Sequence, residues 1–506
     1  MLGNLALLLA ASMLVPLVVA LADRRCVSSL GASVGLAAGV GLALGPGPRW
    51  AQLLVCRVLR GGRWREPPGG HAENRRSLHA PAREAGEELR ARDAFVTVTL
   101  GWLLAGVLGA TPFVLEGVLG PVDALFESIS GFTTTGATVL TRVEELPAAL
   151  LLWRSMLQWL GGMGIIVLFI SVMQRPGAGG AHLFRAEFPG PMPEKLLPRI
   201  TATARMLWGL YASVTLAAAL AYWATGLSLF DAVNHAFTTL STGGFSTRSA
   251  GVWRDPRTEV VATLFMFVGG MSFALQYRLY RLRDWGSLRN ASEFWVYLSV
   301  AGVATLLVTA ATLAAGVYQD PGTAIRKAAF QVVSLLSTTG FTSADYGAWP
   351  PLAGAVLFTV MFVGGMTAST GGGPKVLRWM VMLKQSALEL VKLLHPRSVQ
   401  LLRLGGQVVS EPVVIEIGTF LVIYMAAWFG GFIILAATGL DLISAASGAI
   451  ACLGNIGPGF ASVGPTGNYA HLSDIAKVVL SLLMVVGRLE LYAVLAALHP
   501  EFWRHR

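Results

Sequence analysis

Charge is scarce in this chain. Of its 506 residues only 13% are Asp, Glu, Lys or Arg, against roughly 25% in soluble domains. With 54% hydrophobic residues and a mean hydropathy of +0.62, that shortage excludes an ordinary soluble globule and leaves a membrane protein. Cysteine is scarcer still. Cys26, Cys56 and Cys452 are odd in number and far apart, which excludes a disulfide framework and a cysteine-based metal site. The sequence has no G-x-G-x-x-G in a strand–helix context and no G-x-x-x-x-G-K-[ST], so no nucleotide site of its own is evident. The apolar runs offer no convincing Ser/His pairing, which disfavours an intramembrane hydrolase. They also hold few acidic groups, and those few leave ion coupling open in either direction.

Long apolar runs are what the chain does have, several of them meeting the length of about 20 residues that a hydrocarbon core requires. The first, 1-MLGNLALLLAASMLVPLVVALADRR-25, lacks a basic leader and runs into a second apolar stretch at 30–46, predicting a retained two-helix hairpin over 1–58. The net charge of +10 is unevenly placed. Ten arginines lie between Arg49 and Arg92, and further basic clusters fall at 175–205, 278–290 and 375–403. Each cluster follows an even number of expected crossings, so all of them, and both termini, are expected in the cytoplasm. The stretch 59–93, rich in Gly, Pro and Arg, is expected to be a flexible basic loop. A nucleic-acid arm would have the same composition, but no nucleic-acid module accompanies it, and no nucleic-acid partner is expected.

A repeat organises the rest. Aligned on a glycine, 133-TTTGAT-138, 241-STGGFS-246, 337-STTGFT-342 and 454-GNIGPG-459 read alike, with anchors Gly136, Gly244, Gly340 and Gly457 separated by 108, 96 and 117 residues. Before each lies a short amphipathic stretch: 123–132, 231–240, 327–336 and 444–453. Long apolar helices are predicted near 95–118, 205–228, 294–318 and 413–439 ahead of these stretches, and near 149–173, 258–281, 353–385 and 474–498 after them. The resulting units are 94–175, 200–285, 292–395 and 410–500. Irregular backbone at membrane depth must be buried in protein or line water, and four copies meet that condition by surrounding one axis. The expected fold is therefore an all-α polytopic membrane protein with four such units around one pseudo-fourfold pore, plus the N-terminal hairpin. Anchor glycines permit positive φ, and the carbonyls before them can replace the hydration shell of a monovalent cation. The C-termini of the short helices, pointed at the axis, favour the same charge. A membrane scaffold would have no use for four such loops.

Several polar residues have competing roles. Asp123 and Asp231, at the start of short helices, read more readily as N-caps than as cation-attracting carboxylates. His235 reads as packed or hydrogen-bonded, and Glu127 as packing behind the loop. The run 364-GGMTASTGGGP-374 cannot continue a helix, since each Gly costs about 1 kcal/mol and Pro about 3 relative to Ala, so a break at mid-membrane is expected within 353–385. Arg488 lies deep in 478-VVLSLLMVVGRLELYAVLAAL-498, where an arginine must face the interior and find partners. Those partners are either carbonyls of the glycine run or a carboxylate of another unit. Glu490 is on a different helical face. Lys375 reads as an inside-facing anchor rather than a second contact of the glycine run.

Four M1-P-M2 units (long helix, pore helix with filter strand, long helix) resemble the Trk/Ktr/HKT superfamily of potassium transporters, and within it the membrane subunit of bacterial Trk systems. The motifs 158-QWLGGMGIIVL-168, 185-RAEFPGPMPEKLLPRI-200, 361-MFVGGMTASTGGGPKV-376 and 486-VGRLELY-492 carry the likeness, and the additional hairpin favours Trk over Ktr. The resemblance implies potassium uptake across the bacterial inner membrane through a gated, channel-like pore, with no enzymatic activity. A sodium- or proton-coupled potassium symporter is the alternative, and a non-selective monovalent cation channel is less favoured. It further implies potassium coordination by carbonyls of Thr134 and Thr135, Thr242 and Gly243, Thr338 and Thr339, and Asn455 and Ile456, ahead of Gly136, Gly244, Gly340 and Gly457. The last unit departs from the pattern, with Asn455 and Ile456 in place of hydroxyl residues. Gly364, Gly365, Thr370, Gly371, Gly372 and Gly373 are implied to form an intramembrane gate under the filter, beside Arg488. The implied partners are a second copy of the chain and a cytosolic TrkA-like ring that binds the nucleotide (ATP/ADP or NAD). The chain itself is implied to hold no cofactor, only potassium as substrate.

Overall fold

The structure is a computed structural model that describes residues 2–44, 81–173, 200–249, 255–396, 400–405 and 407–491. It is helical almost throughout, and the one ladder among the described residues pairs β1 (Arg403–Leu404) with β2 (Gln407–Val408). Helices α1 (Leu2–Asp23) and α2 (Val27–Leu44) pack on each other as a hairpin. Six described helices are long and apolar enough to cross a membrane, and a bent pair makes a seventh.

Burial is inverted relative to a soluble protein. Val303, Leu216 and Val422, on three of these spans, are 58%, 61% and 70% exposed, so the chain offers an apolar exterior to lipid. Its interior holds hydroxyls, amides and charges: Thr134, Gln158, His235 and Asn455 are buried within 1% of completely. Polar groups placed inside need internal partners, and these residues converge on four short helices.

The long helices α3 (Pro81–Leu115), α6 (Ile200–Ala224), α11 (Ser292–Ala314) and α15 (Glu411–Ala437) each precede one of those short helices. The short ones are α4 (Pro121–Phe132), α7 (Leu229–Leu240), α12 (Pro321–Leu336) and α16 (Leu442–Leu453), and each packs on the long helix before it. Beyond α4 runs α5 (Ala148–Met173), and beyond α16 runs α17 (Asp474–Arg488). After α7 the chain forms α8 (Pro256–Gly269), α9 (Phe273–Tyr280) and α10 (Trp285–Asn290); after α12 it forms α13 (Pro351–Val360) and α14 (Val376–Leu394).

Four expectations need correction. The basic stretch ending at 93 is helical from Pro81 onwards and continues into the third span, Val98–Leu115; residues 45–80 lie outside the described residues. Pro81 at the first helical position and the Ala-, Glu-, Leu- and Arg-rich run after it supply the reason. The segment 258–281 is two helices at 105° rather than one. The freed groups at the break find partners outside it: Gly270 O accepts from Met366 N–H at 2.9 Å, and Phe273 N–H donates to Ala368 O at 3.0 Å. Asp123 and Asp231 are not caps. The short helices start two to three residues earlier, at Gly120 and at Ser228, whose Oγ accepts from Asp231 N–H. Asp320 and Asp441 cap the other two through side-chain oxygens. The last long helix stops at Arg488, followed by Glu490 and Leu491 at positive φ; the remainder of 474–498 lies outside the described residues.

Candidate functional site

Each short helix ends in the same turn. The N–H of Thr135, Gly243, Thr339 and Ile456 donates to the carbonyl of Ser130, Thr238, Ser334 and Ala451, at 2.7–2.9 Å. One residue earlier, the N–H of Thr134, Thr242, Thr338 and Asn455 donates to Gly131, Thr239, Leu335 and Cys452, at 3.0–3.2 Å. This pair of bonds is a Schellman motif, which needs a left-handed residue just past the helix. That residue is usually Gly, yet here it is Thr134 (φ 56°), Thr242 (53°), Thr338 (60°) and Asn455 (53°). A β-branched residue in this region is strained, and such strain persists only where the surroundings impose it.

The surroundings are the next segment along. Two residues on, Gly136, Gly244, Gly340 and Gly457 return to positive φ, at 82°, 80°, 78° and 99°. A Cβ on Gly136 would run into the carbonyl oxygen of Gly243, and one on Gly244 into that of Thr339. One on Gly340 would meet the carbonyl of Ile456, and one on Gly457 that of Thr135. The contacts run from the first segment to the second, third and fourth, and back to the first. All twelve residues of 134–136, 242–244, 338–340 and 455–457 therefore belong to one closed ring of backbone.

Side chains behind the ring hold it. Glu127 is fully buried, pairs with Arg154 at 2.7 Å, and accepts from Thr138 Oγ1 and Val139 N–H, both at 3.0 Å. The Arg154 guanidinium also lies 4.0 Å over the Phe245 ring, in the second segment. His235 bridges Asp231 O and Ser246 Oγ, a packed and hydrogen-bonded residue. Asp231 accepts from Thr247 Oγ1 at 2.7 Å and pairs with Arg248, while Asp123 pairs with Lys477 at 2.5 Å, tying α4 to α17. Asn455 Nδ2 donates to Thr135 Oγ1 and Met484 O, joining the fourth segment to the first. Gln158 reaches the second segment from α5: its Nε2 donates to Gly243 O at 2.6 Å and its Oε1 accepts from Phe245 N–H at 3.1 Å.

Between α13 and α14 the chain leaves helical geometry over 361–375, and the break is tied to the ring. Gly372 N–H donates to Thr338 Oγ1 at 2.7 Å, and Thr370 Oγ1 donates to Leu240 O at 3.0 Å. Gly364 and Gly373 take positive φ and meet each other, and a Cβ on Gly372 would overlap Gly454 O. Gly371 lies against Ser337 O and Gly365 against Gly270 O. Arg488 Nη1 donates to Thr370 O at 2.7 Å and Nη2 to Gly161 O at 3.4 Å, so its partners are carbonyls rather than a carboxylate. Glu490 instead pairs with Arg378 at 2.7 Å. Lys375 is no inside-facing anchor. It is buried at positive φ, and its Nζ donates to Gly371 O and Ser369 Oγ, because the turn back into α14 folds its side chain onto the loop.

Sequence reasoning missed Arg154, Gln158 and Glu293, which accepts from Thr367 N–H at 2.6 Å. Arg154 and Gln158 sit inside an apolar run, where a polar side chain is itself the signal. Lys375, at the turn into α14, and Glu293, in the first turn of α11, carried no such mark.

A family model described as TrkH, a cation transport protein, matches residues 75–503. The Trk system potassium uptake protein TrkH of Halomonas elongata is 39% identical over 433 residues, covering 84% of this chain and 89% of that one. The protein of the same description from Escherichia coli K12 is 38% identical over 429 residues, covering 84% and 88%. The crystal structure of the potassium transporter TrkH from Vibrio parahaemolyticus superposes with a TM-score of 0.84 at 32% identity, over 99% of this chain and 98% of that one.

Proposed function

The chain belongs to the TrkH family of cation transport proteins, and we propose that it is the potassium-translocating membrane subunit of a Trk-type uptake system in a bacterial inner membrane. The observation that carries this reading is the closed ring of four equivalent turns, each with two left-handed residues. Backbone held this way is a filter: carbonyls of Thr134, Thr135, Thr242, Gly243, Thr338, Thr339, Asn455 and Ile456 supply neutral oxygens that replace the hydration shell of potassium. The four segments are the pore strands of four M1-P-M2 repeats around one axis.

The loop from Gly364 to Gly373 is the gate. Its hydrogen bonds to Thr338 and Leu240 support a position directly against the filter, and Arg488 latches it through Thr370 O. A cytosolic TrkA-like nucleotide-binding ring, docked on the basic cytoplasmic surface of a homodimer, biases the loop by pulling on α14. The relatives named above are potassium uptake proteins by description, which supports potassium as the substrate.

The test is rubidium-tracer uptake into proteoliposomes, with potassium or sodium as competitor and with or without a second ion gradient. Uptake driven by the potassium gradient alone, and blocked by potassium more than by sodium, is expected. Uptake that requires a sodium or proton gradient would overturn the channel-like pathway in favour of a symporter.

A further inference from the structure

Three of the four ring segments have a side chain at the position before the anchor glycine: Thr135, Thr339 and Ile456. The second has Gly243. The two threonines are fixed by neighbouring hydroxyls, Thr135 by Thr133 at 2.7 Å and Thr339 by Ser337 at 2.8 Å. Gly243 has no side chain to fix, and it sits where α5 brings Gln158. The Gln158 amide fills the missing space, since a Cβ on Gly243 would overlap the Gln158 side chain. Its orientation is set by its partners, Nε2 facing the Gly243 carbonyl and Oε1 facing the Phe245 N–H.

The register of the second long helices makes this an exchange. The motif 161-GGM-163 recurs as 269-GGM-271, 364-GGM-366 and 487-GRL-489. Three residues before its first glycine stand Gln158, Met266, Met361 and Met484. Gly162 on α5 lies against Ser241 of the second segment, and Gly270 after α8 lies against Ser337 of the third. In these two units the second helix therefore backs the next segment round. By sequence register three units carry methionine at the matching position, and only α5 carries a glutamine, whose amide meets the segment that lacks a side chain.

We infer that Gln158 is a specificity-determining positioning residue, whose amide stands in for the absent side chain and holds the second filter segment at the width that favours potassium. The inference rests on the filter reading above. A carbonyl has two lone pairs, so Gly243 O can accept from Gln158 and still turn its other face to a cation. Loss of the amide strands the buried Phe245 N–H and removes the hydrogen bond that orients the Gly243 carbonyl, and the segment relaxes.

The test uses the full chain in proteoliposomes, with the ratio of potassium to sodium competition against rubidium as readout, and thermal unfolding in detergent as the control for folding. The unaltered chain must discriminate first; if it does not, the filter reading fails and Gln158 is not at issue. Given discrimination, Q158M is expected to lower the ratio about tenfold, the scale of one buried hydrogen bond left unmade. The double variant Q158M/G243T, which gives the second unit the methionine of the other three and the threonine of the first and third segments, is expected to restore it. A Q158M protein that keeps the parental ratio overturns the inference. So does a Q158M/G243T protein that is folded but no more selective than Q158M. If Q158M does not fold, the double variant decides alone: folded and selective supports the exchange, misfolded or unselective refutes it.

Discussion

Replacing Arg488 with methionine should open the pathway without any partner. The guanidinium holds the loop by one short hydrogen bond, 2.7 Å to Thr370 O, and one long one, 3.4 Å to Gly161 O. Its Nε meets no acceptor among the described residues. A hydrogen bond from a charged group contributes about 1.5–3 kcal/mol, so losing the short one shifts the loop equilibrium by about 2 kcal/mol. With 1.4 kcal/mol per factor of ten, that is roughly 30-fold. A loop that blocks the path about 99% of the time would then block it about 77% of the time, and unassisted flux would rise roughly 20-fold. The charge itself also repels a passing cation, and R488K separates the two effects, because it keeps the charge but cannot reproduce the fork that reaches both carbonyls. Rubidium efflux from proteoliposomes measures both variants, with thermal unfolding to verify folding. A folded R488M protein with parental efflux would refute the latch.

Three other outcomes follow from the same geometry. Deleting residues within 368–373 should raise unassisted flux, because the blocking segment and its bond to Thr338 go together; unchanged efflux would count against the gate. G340A should abolish uptake while leaving the protein inserted, since the left-handed φ of 78° costs an L-residue about 1–2 kcal/mol and the new methyl meets the Ile456 carbonyl; retained uptake would mean that the ring can dilate. E127Q should lower stability by about 3–5 kcal/mol by stranding the buried Arg154 charge, whereas E127M/R154M should lose much less. Thermal unfolding decides it, and equal losses in both proteins would argue against the pair.

Local punctuation made much of this legible. Glycine at four matched positions announced the turns, because few other residues offer positive φ cheaply, and the density of glycine after Val363 announced a broken helix. Asp320 and Asp441 were readable caps, yet Asp123 and Asp231 drew the assignment because alignment on the glycines fixed the wrong starting point for the helices. What stayed hidden depended on contacts across long separations. Gln158 finds its partners 85 and 87 residues away. The 105° bend after Gly269 is sustained by bonds to Met366 and Ala368, from a different part of the chain. Lys375 misled because a lysine after an apolar run has a good local explanation, and only the burial of the turn beside it removes that explanation.

The closed ring of backbone is drawn from one continuous chain, and this sets how it can change over generations. In an assembly of four identical chains a single codon rewrites every wall of the pore at once, so most changes there are all or nothing. Here one codon rewrites a quarter. Asn455 and Ile456 in one wall and Gly243 in another differ from the threonines of the remaining two, while all four still meet head to tail. If the ring is the filter proposed above, ion preference can therefore drift in small steps, each set against three unaltered neighbours, and a change in one wall can be answered later by a change in the helix behind it.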